Sequence, residues 1–282
     1  MALVLALGSG LTFGVADFAG GLAAKRASAT SVTFLSQAIG LVVLLPLMGL
    51  LPGVPSIEAF LSGGLAGIAG ALGVVAYLRA LALGPMGVVA PLASVVGVMV
   101  PVLAGLVAGE RPSVLAGLGI AVGLIAITVV AGGGRRTGAQ GDGARAGDRR
   151  GPLLALAGGM AFGVFFVLLD LTPSGSGLWP LVGARIASLA LMGSAVTLAG
   201  RSLPPRDAMP MVAASGALDM LANILFLLAA RAGLLTISAL LASLYPVVVV
   251  LLARQLLAER LRRPQVVAVV LALLAVAVIT VG

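Results

Sequence analysis

The chain has 282 residues, of which 61% are hydrophobic and 9% charged, with a net charge of +8, no Cys and no His. That leaves too little polar surface for a soluble fold of this size, and it excludes disulfide frameworks, cysteine nucleophiles, histidine bases and ordinary zinc sites. The excess basic residues sit in short loops with no aromatic residues between them, which argues for topology signals and against a nucleic-acid partner.

Apolar runs of about twenty residues, the length a helix needs to cross a bilayer, recur along the chain between charges, Pro and Gly. The first run begins at once, without the basic stretch and small-residue cleavage site of a signal peptide, so this span is expected to be retained. Five spans are predicted in the first half, over 3–22, 32–51, 59–79, 86–108 and 113–131. Residues 132–151 follow, holding eight Gly, five Arg and two Asp with no apolar periodicity; such a segment reads as a flexible linker. Five more spans are predicted over 152–171, 178–199, 208–230, 234–257 and 264–281.

The halves are copies at a fixed offset of 149 residues. Leu5-Ala6-Leu7 matches Leu154-Ala155-Leu156, Phe13-Gly14-Val15 matches Phe162-Gly163-Val164, Leu92-Ala93-Ser94 matches Leu241-Ala242-Ser243, and Glu110-Arg111 matches Glu259-Arg260. With an odd number of spans per copy, the second copy must enter the membrane from the opposite side, so the repeat is inverted. The expected fold is therefore an all-α integral membrane protein, with ten transmembrane helices forming two inverted five-helix repeats (1–131 and 152–282) around a central cavity. Internal repeats of this kind point to secondary transporters.

Fourteen basic residues fall in the loops after the odd-numbered spans, against only Arg111 and Arg231 in the other loops. The positive-inside rule then places the linker in the cytoplasm and both termini outside. Sixteen of the 17 basic residues are Arg, a bias read as a GC-rich bacterial coding sequence and hence a bacterial plasma membrane.

The segment from Ser243 to Arg260, SLYPVVVVLLARQLLAER, has a Pro thirteen residues before the Glu that ends its span, then a basic residue and another apolar span. With the ten-span inverted repeat and the paired Phe-Gly dipeptides, the chain resembles the drug/metabolite transporter superfamily, specifically its EamA-like proteins. The resemblance covers essentially the whole chain. It implies a basket of helices around a central cavity, and export or exchange of amino acids or other small metabolites. The family's arginine in the second span of a unit is matched by Arg185, whereas its first-half counterpart is Ser36; the counterpart of Pro246 is Gly97, with a Pro displaced to Pro101.

Charges inside spans cost about 2.5–3.5 kcal/mol each at a helix centre, so they must be paired, hydrated or useful. Asp17, Asp170, Arg185 and Asp219 are the cases here. Asp219 is the most central, and Ser215 and Asn223 lie four residues to either side of it, on one helix face. That stripe reads as a substrate or proton site, or as a structural partner of Arg185. Arg185 reaches towards Asp219 or Asp170, and its planar guanidinium also suits a substrate carboxylate. Asp17 shares a face with Gly10, Phe13, Gly14 and Gly21 and reads as a gate or proton relay, or as a partner of Lys25 or Arg26. Glu110 and Glu259 read as architectural, fixing the turn into the next span. Pro91, Pro101 and Pro246 free backbone carbonyls and are candidate hinges. The family resemblance implies that Tyr77, Ser94, Ser243 and Tyr245 contact the cavity; packing or interface anchoring is the alternative for each.

The reading that unites these features is a proton-coupled carrier of small metabolites working by alternating access, with no cofactor and no metal. A nucleotide-sugar or sugar-phosphate exchanger is weaker, because phosphates call for several cations and the spans hold only Arg185. A membrane enzyme is weaker still, since the carboxylates sit at different depths along their spans with no His or Cys beside them. A non-transporting sensor or scaffold is the remaining alternative.

Overall fold

The computed structural model describes residues 2–107, 114, 115, 117–119, 121, 122, 125, 150–231, 245–259 and 263–281. Among these the regular structure is entirely helical: α1 Ala2–Ala24, α2 Ala29–Leu47, α3 Ile57–Leu83, α4 Met86–Val107, α5 Arg150–Asp170, α6 Trp179–Leu198, α7 Met209–Arg231, α8 Tyr245–Leu256 and α9 Arg263–Val281. Six of them are long and apolar enough to cross a membrane, namely α1, α2, α3, α5, α6 and α7, and shorter apolar stretches lie in α4 and α8. The expected fifth span and the first part of the ninth fall largely outside the described residues; Val114, Leu115 and Leu118, which are described, are helical and exposed.

Local chemistry sets the helix ends. Ser28 starts α2 by accepting the Ser31 N–H, and Ser56 starts α3 by accepting the Ala59 N–H, at 3.1 Å each; such caps satisfy donors that the first turn leaves free. The sequence reading ends the third span at Arg79, yet α3 runs on to Leu83. Arg79 is exposed, so its long side chain leaves the bundle without interrupting the helix. Helix α5 includes Arg150, inside the segment read as linker, and Pro152. Helix α4 is continuous through Pro91 and Pro101, so neither is a visible break, and Pro246 lies within α8.

The most extensive packing joins helices of different halves. Helix α1 lies on α7, α3 on α5 and α6, α4 on α5, and α2 on α6 and α7, while α8 packs on α1 and α4. Small residues allow this. A Cβ on Gly67 would fall on the Ala184 backbone, one on Gly216 on the Ser36 backbone, and one on Gly159 on the Ala93 carbonyl. Close backbone approach is how helices gain packing energy where lipid is as apolar as Leu. The paired Phe-Gly dipeptides take the same role, since Gly14 abuts Tyr245 and Val248 and Gly163 abuts Gly97 and Val100.

Two apolar clusters form. One gathers Phe18, Ala23, Tyr77, Leu81, Met86, Val212 and Val249 towards the end of the bundle that carries Lys25. The other gathers Leu44, Leu169, Leu178, Leu181, Met220 and Ile224 towards the end that carries Trp179. Leu11, Val42, Leu61, Leu65, Ile186 and Leu251 are exposed, as expected of surfaces that meet lipid.

Candidate functional site

A polar layer lies between the two apolar clusters. Arg185 on α6 donates from Nη2 to Asp219 Oδ2 on α7 at 2.6 Å, and the two side chains are 8% and 25% exposed. A short charge-assisted bond in a largely dry interior is strong, and it satisfies two ions that lipid would reject. Helix α2 makes room for it: Gly40 faces the pair, and a Cβ there would come within 3.4 Å of Arg185 Cζ and 3.2 Å of the Gly216 carbonyl. Of the two partners open to Arg185 from sequence, the fold selects Asp219. Asp170 is the last residue of α5 and is exposed.

The expected stripe on α7 is present, with each member differently employed. Asn223 is buried and donates from Nδ2 to the Asp219 carbonyl at 2.8 Å, which leaves its Oδ1 without a partner. Ser215 is buried against α1, where a Cβ on Gly20 would come within 2.7 Å of its Oγ.

Asp17 is partly buried and points into the bundle, within electrostatic range of Asp219 and beside Tyr77 and Tyr245. The expected pairing with Lys25 or Arg26 does not form, because Arg26 binds Asp207 at 3.2 Å in the loop before α7. Asp17 and Asp219, read from sequence as lying at different depths, are thus within electrostatic range of one another.

Tyr77 is fully buried and edges against Phe162 and Tyr245, with ring centroids 5.6 and 6.4 Å apart. Its hydroxyl lies beside the Asp17 carboxylate. The Tyr245 hydroxyl is hydrogen-bonded to Ser94, which is buried. Tyr77, Ser94 and Tyr245 thus meet in one place; Ser243 and Glu110 lie outside the described residues.

Glu259 departs from its expected task. Its carboxylate accepts the Met86 and Gly87 N–H groups at 3.1 and 3.2 Å, capping α4 in the other half of the chain. Ala258 adopts a left-handed backbone, φ 51°, which turns the chain towards that cap. Arg26–Asp207 and the hydrogen bond from Ser36 Oγ to the Val212 carbonyl, at 3.4 Å, also join the halves towards the Lys25 end. At the opposite end the link is backbone and aromatic: Val54 N–H donates to Gly175 O, Trp179 Nε1 to Gly53 O, and Trp179 packs on Phe60. Gly177, at φ 56°, lies so close to Leu51 and Gly53 that no side chain would fit.

Sequence reasoning missed Thr33, Gln37 and Gly40. The Thr33 hydroxyl and the Gln37 Oε1 acceptor are buried without partners, on the helix that packs against both α6 and α7. The signal was available, because Thr33, Gln37 and Gly40 recur at i, i+4 and i+7 in an apolar span.

A family model described as the EamA-like transporter family matches the chain twice, over residues 1–132 and 149–281. One solved crystal structure aligns with a TM-score of 0.65 and 19% identity, covering 98% of this chain and 95% of the other, which shows a shared fold. No curated protein matches the sequence significantly.

Proposed function

The chain belongs to the EamA-like transporter family, and from that premise we propose that it moves a small metabolite, an amino acid or a related compound, by alternating access about the polar layer of Arg185, Asp219 and Asp17. Transport of small molecules across a membrane is what the family does; the substrate, the proton coupling and the rocking of halves are the proposal. The observation that carries it is the Arg185–Asp219 pair with Asp17 within electrostatic range of it, inside a bundle whose helices are largely apolar. Ionisable groups at that depth are costly and mark substrate or ion paths.

Support for two inverted repeats comes from the offset of 149 residues, from the double match of the family model, and from the cross-half packing. On this reading the Lys25 end is cytoplasmic by its basic loops. Among the described residues its links between the halves include an exposed ion pair and a helix cap, which water replaces at little cost, so this is the end that opens more readily. Export or exchange follows as the natural direction. A phosphate-bearing substrate fits less well, since Arg185 is already engaged by Asp219.

Counterflow by the purified protein in liposomes, loaded with a mixed pool of amino acids and related metabolites, tests the reading. Exchange of a labelled member of the pool supports a carrier. If no member exchanges across broad pools, the protein is a sensor or scaffold.

A further inference from the structure

Helices α4 and α8 come from different halves of the chain and pack together. Among the described residues two polar contacts join them. Within the bundle the Tyr245 hydroxyl is hydrogen-bonded to Ser94, and at the Lys25 end the Glu259 carboxylate, just past α8, accepts the Met86 and Gly87 N–H groups. Pro91 lies between the two contacts on α4. It has no N–H, so the Gly87 carbonyl lacks the donor that a helix supplies four residues on, and the first turn of α4 is tied less firmly to the rest of the helix. That turn also begins with N–H groups that have no partner inside the helix. Glu259, 173 positions from Met86, meets two of them, and the dipole of α4 adds to the attraction.

What this turn holds in place is Met86. Its side chain is fully buried, and a Cβ on Gly21 of α1 would come within 2.9 Å of its Cε, with Leu81 of α3 in the same notch. Met86, Leu81, Val249 and Ala253 belong to one apolar cluster, which closes the Lys25 end. An unbranched, flexible side chain suits a part that must seat and unseat. The ion pair at this end, Arg26–Asp207, is 48% and 65% exposed, and such pairs contribute little. The cap on α4 is therefore the link whose loss matters.

We infer that Met86 is the plug of the Lys25 end and that Glu259 is its latch: the cap seats the first turn of α4 while this end is shut, and its release lets that turn swing about Pro91 and withdraw Met86 from Gly21. The inference rests on the transporter reading and adds the residues that set the balance between shut and open states. No covalent bond changes. On opening, the Glu259 carboxylate and the Met86 and Gly87 amides pass to water.

The absence of native cysteine allows a direct test on the full-length protein in lipid nanodiscs, where a membrane-impermeant maleimide reaches both faces. Ala253→Cys, at a position 1% exposed in the Met86 cluster, reports on the Lys25 end; Val182→Cys, at a position 7% exposed in the other cluster, reports on the Trp179 end. Labelling of a buried thiol follows the population of the open state. Glu259→Ala should speed labelling at position 253 by roughly two- to thirtyfold, the equivalent of a lost cap, with Glu259→Gln in between and position 182 unchanged. Met86→Ala should also speed it, whereas Met86→Leu, which keeps the volume, should not. Asp207→Asn should change little. An unchanged rate at position 253 in either Glu259→Ala or Met86→Ala overturns the inference, as does an equal rise at position 182 or in Asp207→Asn. Counterflow separates the two readings. If liposomes exchange a metabolite while labelling fails these expectations, the latch alone is lost; if labelling meets them and no metabolite exchanges, the latch stands and the transporter reading falls.

Discussion

Arg185 Nη2 lies 2.6 Å from Asp219 Oδ2, and the pair links α6 to α7 within electrostatic range of Asp17. The two residues are 34 positions apart in the chain, yet the fold pairs them directly. Most of the behaviour expected of this protein follows from that link.

Removing either partner strands the other. Loss of one member of a buried pair costs about 3–5 kcal/mol, and the cost should fall below that range here because Asp219 is a quarter exposed. Asp219→Asn and Arg185→Met should each lower the unfolding midpoint in detergent. The double variant should lose clearly less than the sum of the two. Additive losses would show that the pair is not coupled.

The packing of the bundle also depends on what α3 leaves out. Gly67→Ala forces a Cβ into the Ala184 backbone, and overpacking of this kind costs about 1–3 kcal/mol. Gly49→Ala, with nothing within 4 Å of the new Cβ, should leave stability unchanged. Thermal unfolding of the two variants side by side checks the contrast, and equal midpoints would contradict the close backbone contact.

Glu259 caps a helix in the opposite half of the chain. Loss of a helix cap costs about 0.5–2 kcal/mol. Glu259→Ala should lose that much and speed hydrogen exchange at the Met86 and Gly87 amides, while Glu259→Gln, which keeps a carbonyl acceptor, should be intermediate. Unchanged exchange at both amides in Glu259→Ala would remove the cap from the account.

Orientation is open to direct labelling, since the chain has no native cysteine. A single Ala139→Cys substitution in the Gly- and Arg-rich segment should resist a membrane-impermeant maleimide in intact cells and react after permeabilisation. Reaction in intact cells would reverse the assignment made from the basic loops.

Much was legible without coordinates, because the solvent imposes it. In lipid every backbone polar group must be satisfied within its own segment, so apolar runs of about twenty residues become helices whatever surrounds them. The same logic singled out Asp219, Arg185 and Asp17, since charges are conspicuous in such runs. The helix ends were less legible: Arg79 and Arg150 lie within helices that the charge punctuation had closed, because an arginine at a helix end reaches water without ending the helix.

Partnerships were decided only by the tertiary structure. From sequence, Arg185 had two candidate carboxylates, Asp17 had two candidate cations, and Glu259 was expected to serve its own turn. The fold joins Arg185 to Asp219, turns Asp17 inward beside Tyr77, sends Arg26 to Asp207 and carries Glu259 across to α4. Spacing along one helix specifies a face and an approximate depth, whereas the level at which two helices cross depends on how their small residues let the backbones meet. Those crossings, at Gly40, Gly67 and Gly216, are properties of helix pairs, and no single span contains them.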